Sequence, residues 1–222
     1  MATSGPRRGT TSDRREEKSA QTRSALVAGA ITALSEVGFS GASAREIAGR
    51  AGCAQALVFY HFGSVTDLLL AALDDVSSRR LTAYTTLVDE ATSLTGLIDS
   101  ARAIFSEDLD AGNVAVLVEM ITGAQSVPEL GEQVASRLAP WRDFAESAVR
   151  QSLAGSPVAA LLPAKEIAHG VVAGFLGLEL LASLDGDRSA ALALFDQARL
   201  IAGLLDLTGG ALTSTGTPKD TS

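Results

Sequence analysis

Apolar positions recur at helical spacing along most of this chain, and nowhere does an alternating pattern persist long enough to make a strand. Over residues 17–37, Leu26, Val27, Ala30, Ile31, Leu34 and Val37 fall on one face of a helix, and Gly38 follows as its C-cap. Ser43 and Glu46 form a capping box that opens a helix over 44–50. Ala51-Gly52-Cys53 is a tight connection to a short helix over 54–61, which Gly63 breaks. Ser64-x-x-Asp67 opens a longer helix reaching about residue 91. Further helices are predicted over 94–109, 114–124, 128–153, 163–184 and 188–207. In the third of these Val134, Leu138, Trp141, Phe144 and Ala148 share a face, and Asp185-Gly186-Asp187 is the turn before the last. The expectation is an all-α protein of about nine helices.

Composition supports that reading. Apolar residues make up 46% of the 222 residues, enough for a sizeable core and too many for wholesale disorder. Aromatics are only 5%, and the Ala and Leu that dominate favour helix over sheet. No uninterrupted run of about 18 apolar residues is present, so no membrane span is expected, and the polar N-terminus lacks the apolar segment of a secretory signal. The single cysteine, Cys53, allows no internal disulfide and reads as a small buried hydrophobe beside Gly52. With His61 and His169 the only histidines, no metal and no cofactor are expected; a cytoplasmic location fits.

Charge changes the picture more. The net charge is −8, which argues against nucleic acid until its distribution is considered. Residues 1–62 carry eight Lys and Arg against five Asp and Glu, a net of +3, whereas residues 63–222 carry −11. Four segments follow: a disordered basic arm (1–16), a head (17–63), a helical body (64–208) and a flexible tail (209–222).

The head carries the chemistry. Helix, three-residue turn and short helix over 42–61 place Ala48 where two helices cross, Gly52 in the turn and Val58 as a plug between them. That is the spacing of a helix-turn-helix, whose second helix enters the DNA major groove, although an ordinary packed helix pair has the same outline. Thr22-Arg23, Gly38-Phe39, Ser43-Ala44-Arg45-Glu46-Ile47-Ala48, Ala51-Gly52, Val58-Phe59-Tyr60-His61-Phe62 and Asp67-Leu68-Leu69 together resemble the DNA-binding domain of TetR-type (tetracycline-repressor-like) transcriptional regulators. The resemblance covers roughly residues 20–70. It implies an all-helical homodimer with an N-terminal helix-turn-helix domain on a ligand-binding and dimerisation domain. A small molecule would shift the two heads and release a near-palindromic operator, the behaviour of a repressor.

Residue roles follow physically. Ser43 and the helix start it caps suit a phosphate, and Arg45 suits a phosphate or a guanine edge. Gln55 can bond an adenine edge twice, and Ala56 and Leu57 can approach a thymine methyl. Tyr60 and His61 suit phosphates, as those positions commonly do in the family. Departures from the family pattern are Ala54 and Leu57 (often Ser or Thr), Phe59 (often Tyr) and Val65 (often Lys). They shift the expected load to Arg45, Gln55, Tyr60 and the arm residues Arg7, Arg8, Arg14 and Arg15. Phe59 and Phe62 read as core.

In the body, Phe105, Met120, Trp141, Phe144, Phe175 and Glu179 are candidates to line an effector pocket, Glu179 by pairing with an Arg or a ligand cation. Such a pocket is expected to be mostly apolar and to take an apolar or amphipathic effector. Gly170, Ala173, Gly174, Gly177, Phe195 and Ile201 are candidates for a four-helix dimer interface, with His169, three residues after Glu166, an interface histidine. Asp74-Asp75 and Asp108/Asp110 read as solvated faces. No phosphate loop, carboxylate pair or nucleophile–base motif points to an enzyme. The competing class is a helical ligand carrier or protein-interaction module with a degenerate head.

Overall fold

The computed structural model describes residues 11–91, 93–153 and 163–213, and among these it contains ten helices and no strand. They are α1 (Thr11–Gly41), α2 (Ala44–Arg50), α3 (Ala56–Phe62), α4 (Val65–Glu90), α5 (Leu94–Asp110), α6 (Asn113–Ser126), α7 (Pro128–Arg137), α8 (Ala139–Leu153), α9 (Ala164–Asp185) and α10 (Ser189–Thr213).

Local signals set most boundaries. α1 kinks at Gly38 (φ 72°), Gly52 takes φ 65° in the turn after α2, and Gly186 takes φ 65° after α9. Ser43 Oγ accepts the Glu46 N–H (3.2 Å), and Ser64 Oγ accepts the Asp67 N–H (3.0 Å). Neither cap closes a reciprocal box. Glu46 turns instead to Arg50, which also reaches Glu36 on α1 (2.8 Å) and ties α2 back to it.

Three boundaries differ from expectation. α1 begins at Thr11, so Arg14 and Arg15 are exposed helical residues rather than part of a disordered arm; Arg7 and Arg8 lie outside the described residues. The charged run there is made of good helix formers, and Ser12 Oγ donates to Glu16 Oε1 one turn on (3.2 Å). The predicted helix over 128–153 is two helices broken at Leu138. Pro140 lacks an N–H and is accommodated only in the first turn of a new helix. α10 runs to Thr213, past the expected tail boundary at 209; the remainder of that tail lies outside the described residues.

Head and body share one core. Leu26, Ala30, Leu34, Ile47, Ala48 and Val58 from the head are buried with Leu68–Leu70 and Val76 of α4 and with Val116 and Met120 of α6. The segment Ser12–Gly41 has the length and apolar content of a membrane span, but its apolar face is packed into this core. A second, smaller cluster joins Phe105, Ala182 and Ala191, with Phe175 and Phe195 against them.

α1 and α2 approach most closely at Gly29. A Cβ on Gly29 would meet the Ile47 carbonyl oxygen at 2.8 Å, a backbone atom that cannot step aside. On Gly49 a Cβ would meet nothing within 4 Å. Gly29→Ala is therefore expected to destabilise by roughly 1–3 kcal/mol despite its helix propensity. Gly49→Ala should instead stabilise by up to about 1 kcal/mol. Denaturant unfolding of the two variants checks both signs.

Candidate nucleic-acid interface and ligand cavity

α3 presents one contiguous outer face. Gln55 stands at its N-cap, and Gln55, Ala56, Phe59 and Tyr60 are exposed at spacings of three and four residues. Val58 is fully buried beneath them, and Leu57, His61 and Phe62 are half-buried. Arg23 of α1 lies over the Phe62 ring (4.4 Å), which secures the C-terminal end of α3. Tyr60 and His61 make an edge-to-face pair (4.9 Å). Ser43 and Arg45, at the start of α2, are exposed. Gln55 caps no α3 amide with its side chain, and Ala54 has no hydroxyl to do so. Val65, where a lysine was the family expectation, packs against the core instead.

Phe59 corrects the sequence reading. It is 49% exposed rather than core, because Val58 and Phe62 already occupy the inward positions of so short a helix. Exposure by register was the available signal, since Phe59 is four residues from Gln55.

The body encloses a cavity of about 420 Å³ bounded by α4 to α9. Its wall is almost wholly apolar, with Leu94, Leu97, Ile98, Leu117 and Val171 on the aliphatic side. Tyr84, Trp141, Phe144 and Phe175 form the aromatic side, with Tyr84 5.6–6.2 Å from each of the other three rings. Trp141 donates its indole N–H to Ser77 Oγ (2.6 Å).

A buried ionic cluster sits in this wall. Arg80 Nε donates to Asp108 Oδ2 (2.8 Å), and its terminal nitrogen reaches both Asp108 and Glu179. Asn113 Nδ2 donates to the other Asp108 oxygen (3.1 Å). Glu179 Oε2 and the Tyr84 hydroxyl are buried with no hydrogen-bond partner among the described residues. Burial works against the Arg80 charge, but the carboxylates of Glu179 and Asp108 outweigh it and hold its pKa above the ordinary value. Burial pushes Glu179 up to about 7; Arg80 draws it down and Asp108 adds to the rise. The Tyr84 phenol is raised by burial first and then by the Asp108 charge.

Residues 26–72 match the family model of bacterial regulatory proteins, tetR family. The chain is 31% identical over 142 residues to an HTH-type transcriptional regulator of Mycobacterium tuberculosis (strain ATCC 25618 / H37Rv), covering 64% of this chain and 70% of the relative. This chain belongs to the TetR family. Solved structures agree on the fold of this TetR-family regulator. A TetR-family transcriptional regulator from Rhodococcus sp. matches with TM-score 0.67 at 22% identity over 81% of this chain and 99% of that one. FadR from Bacillus subtilis, solved in complex with stearoyl-CoA, matches with TM-score 0.68 at 13% identity over 80% and 96%.

Within the TetR-family body, Trp141, Phe144, Phe175 and Glu179 line the cavity. Phe105 and Met120 do not. Phe105 is sealed in the cluster with Phe175 and Phe195, and Met120 lies in the core shared with the head. Asp108 is not a solvated residue but the buried partner of Arg80, while Asp74 and Asp110 pair at the surface with Arg137 and Arg188. Cys53 is half-buried against the core. Among the interface candidates, Gly170, Ala173, Gly174 and Ile201 are exposed and Gly177 is half-buried. Phe195 turns inward, 5.3 Å from Phe105, so the outer row of α10 is Leu194, Leu200, Ile201 and Leu204. His169 and Glu166 are both exposed on α9.

A carboxylic acid whose folded pKa lies above its unfolded value binds more protons when folded, so its contribution to stability is lost as pH rises. For Glu179 the window runs from its ordinary 4.5 to about 7. The stability difference between wild type and Glu179→Gln should shift against the wild type by on the order of 2–3 kcal/mol from pH 4.5 to pH 8. Denaturant unfolding across that range measures it; parallel curves would mean that Glu179 titrates in the ordinary range.

Proposed function

We propose that this transcriptional regulator is a ligand-responsive repressor that binds a near-palindromic operator as a homodimer in the cytoplasm and is released by a small apolar or amphipathic effector. One observation carries the reading: α4 and α6 belong to both the head's core and the cavity wall. α4 gives Leu68–Leu70 to the core and Ser77, Arg80 and Tyr84 to the cavity. α6 gives Asn113 and Leu117 to the cavity, and its Glu119 accepts the Phe39 N–H (2.8 Å) at the kink of α1. A Cβ on Gly123 of α6 would fall within 2.5 Å of the Phe39 ring, so no slack separates α6 from the head. An occupant that displaces either helix moves the reading head with it.

On DNA, the exposed face of α3 enters the major groove. Gln55 reads an adenine edge, Ala56 and Phe59 approach thymine methyls with Leu57 at the border, and Tyr60 and His61 contact phosphates together with Ser43 and Arg45. Two such heads lie about one turn of duplex apart, roughly 34–36 Å, or somewhat more. The dimer forms through α9 and α10. Their outer rows carry Leu181 and Leu184 and Leu194, Leu200 and Leu204, each more than half exposed in the single chain. Gly170 and Gly174 on the same helix would let a partner's backbone come close; a Cβ on either meets nothing within the chain.

Selection of bound duplexes from a random pool at physiological salt should enrich a palindrome. A folded protein that enriches none and shows no salt-dependent duplex binding is a carrier or interaction module instead. Gln55→Ala should weaken the selected site by on the order of 1–3 kcal/mol and relax one base position per half-site. Equal losses on selected and random DNA would remove Gln55 from the readers. Gly174→Leu fits the isolated chain, so it should sediment as a folded monomer; an unchanged dimer would place the interface elsewhere.

A further inference from the structure

The cavity is apolar except at Ser77, at Arg137, which is tied to Asp74, and where Arg80, Asn113 and Glu179 meet, and there the carboxyl groups outnumber the cation. Arg80 is one cation, and it faces two carboxyl groups, those of Asp108 and Glu179. Asp108 is fully engaged, by Arg80 on one oxygen and by Asn113 on the other. The excess therefore falls on Glu179, which is 1% exposed, lines the cavity, and leaves Oε2 without a partner. A buried acceptor left open costs free energy until a donor reaches it, and a buried anion most of all.

The surroundings favour a cationic donor. Tyr84, Trp141 and Phe175 line the same cavity, and aromatic faces attract cations. Arg80 itself already lies 5.4 Å from the Trp141 ring centre. An anionic head would find Arg80 already bonded to two carboxyl groups and Arg137 already bonded to Asp74.

We propose that the effector is a lipophilic amine, whose ammonium N–H donates to Glu179 Oε2 while its hydrocarbon body fills the apolar remainder of the cavity. The inference rests on the cavity being the effector site and adds the chemical class of what enters it.

The test compares three probes with one ten-carbon tail and different heads: decylammonium, 1-decanol and decanoate, each below its micelle concentration. Trp141 is the only tryptophan and lines the cavity, so its fluorescence reports occupancy of the full-length protein. The expected result is decylammonium binding at least tenfold more tightly than decanol, and decanoate binding weakest. Glu179→Gln, its fold checked by circular dichroism, should weaken decylammonium at least tenfold and change decanol less than threefold. Decanol binding with no preference for the amine, or a preference for decanoate, overturns the inference and leaves the effector site standing. Amine binding unchanged in Glu179→Gln overturns it equally. Binding of none of the three overturns the effector-site reading along with it. The head-group order on the wild-type chain decides the matter should the variant not fold.

Discussion

A guanidinium taken out of water must recover its hydrogen bonds from neighbouring groups, and Arg80 recovers them from helices that are far apart in sequence. Asp108 lies 28 residues on, in α5, and Glu179 lies 99 residues on, in α9. That requirement fixes how α4, α5 and α9 meet, and so where the cavity lies and what its wall is made of. Removing one partner from such a cluster leaves a buried charge uncompensated, at a cost of about 3–5 kcal/mol. The cluster holds one carboxylate more than Arg80 can balance, and the open oxygen belongs to the residue that faces the cavity.

The same helix that carries Arg80 begins in the head. α4 enters at Ser64, whose hydroxyl caps it, and buries Leu68, Leu69 and Leu70 against α1 to α3 before reaching the cavity two turns further on. α6 provides a second connection through Glu119 and the Phe39 amide. A side chain that repositions α4 or α6 by a fraction of an ångström acts on a close-packed core, which transmits the displacement rather than absorbing it. The packing of the head thus joins α3, through a continuous core, to the helices that line the cavity.

The head was legible in the sequence because its determinants are local. Caps at Ser43 and Ser64, left-handed glycines at 38 and 52 and the buried plug at Val58 depend on residues a few positions away. What was not legible rests on contacts distant in sequence or on register within short helices. Asp108 and Asp110 look alike along the chain, yet one is buried against Arg80 and the other pairs with Arg188 at the surface. Phe105 looks like a pocket residue until its packing against Phe175 and Phe195 places it in a separate cluster. The break at Leu138 had a visible signal in Pro140, outweighed by the apolar periodicity that runs across it. Glu179 was conspicuous as an acid among apolar residues, but its partner could not be read from spacing.

Glu179 sits in the cavity wall with one carboxyl oxygen on Arg80 and the other without a partner among the described residues. Its ionisation can be observed directly by following the side-chain carboxyl ¹³C resonance with pH, assigned by its absence in Glu179→Gln. The account predicts a midpoint near 7. A midpoint in the ordinary carboxylate range would mean that Arg80 offsets the burial of Glu179 in full.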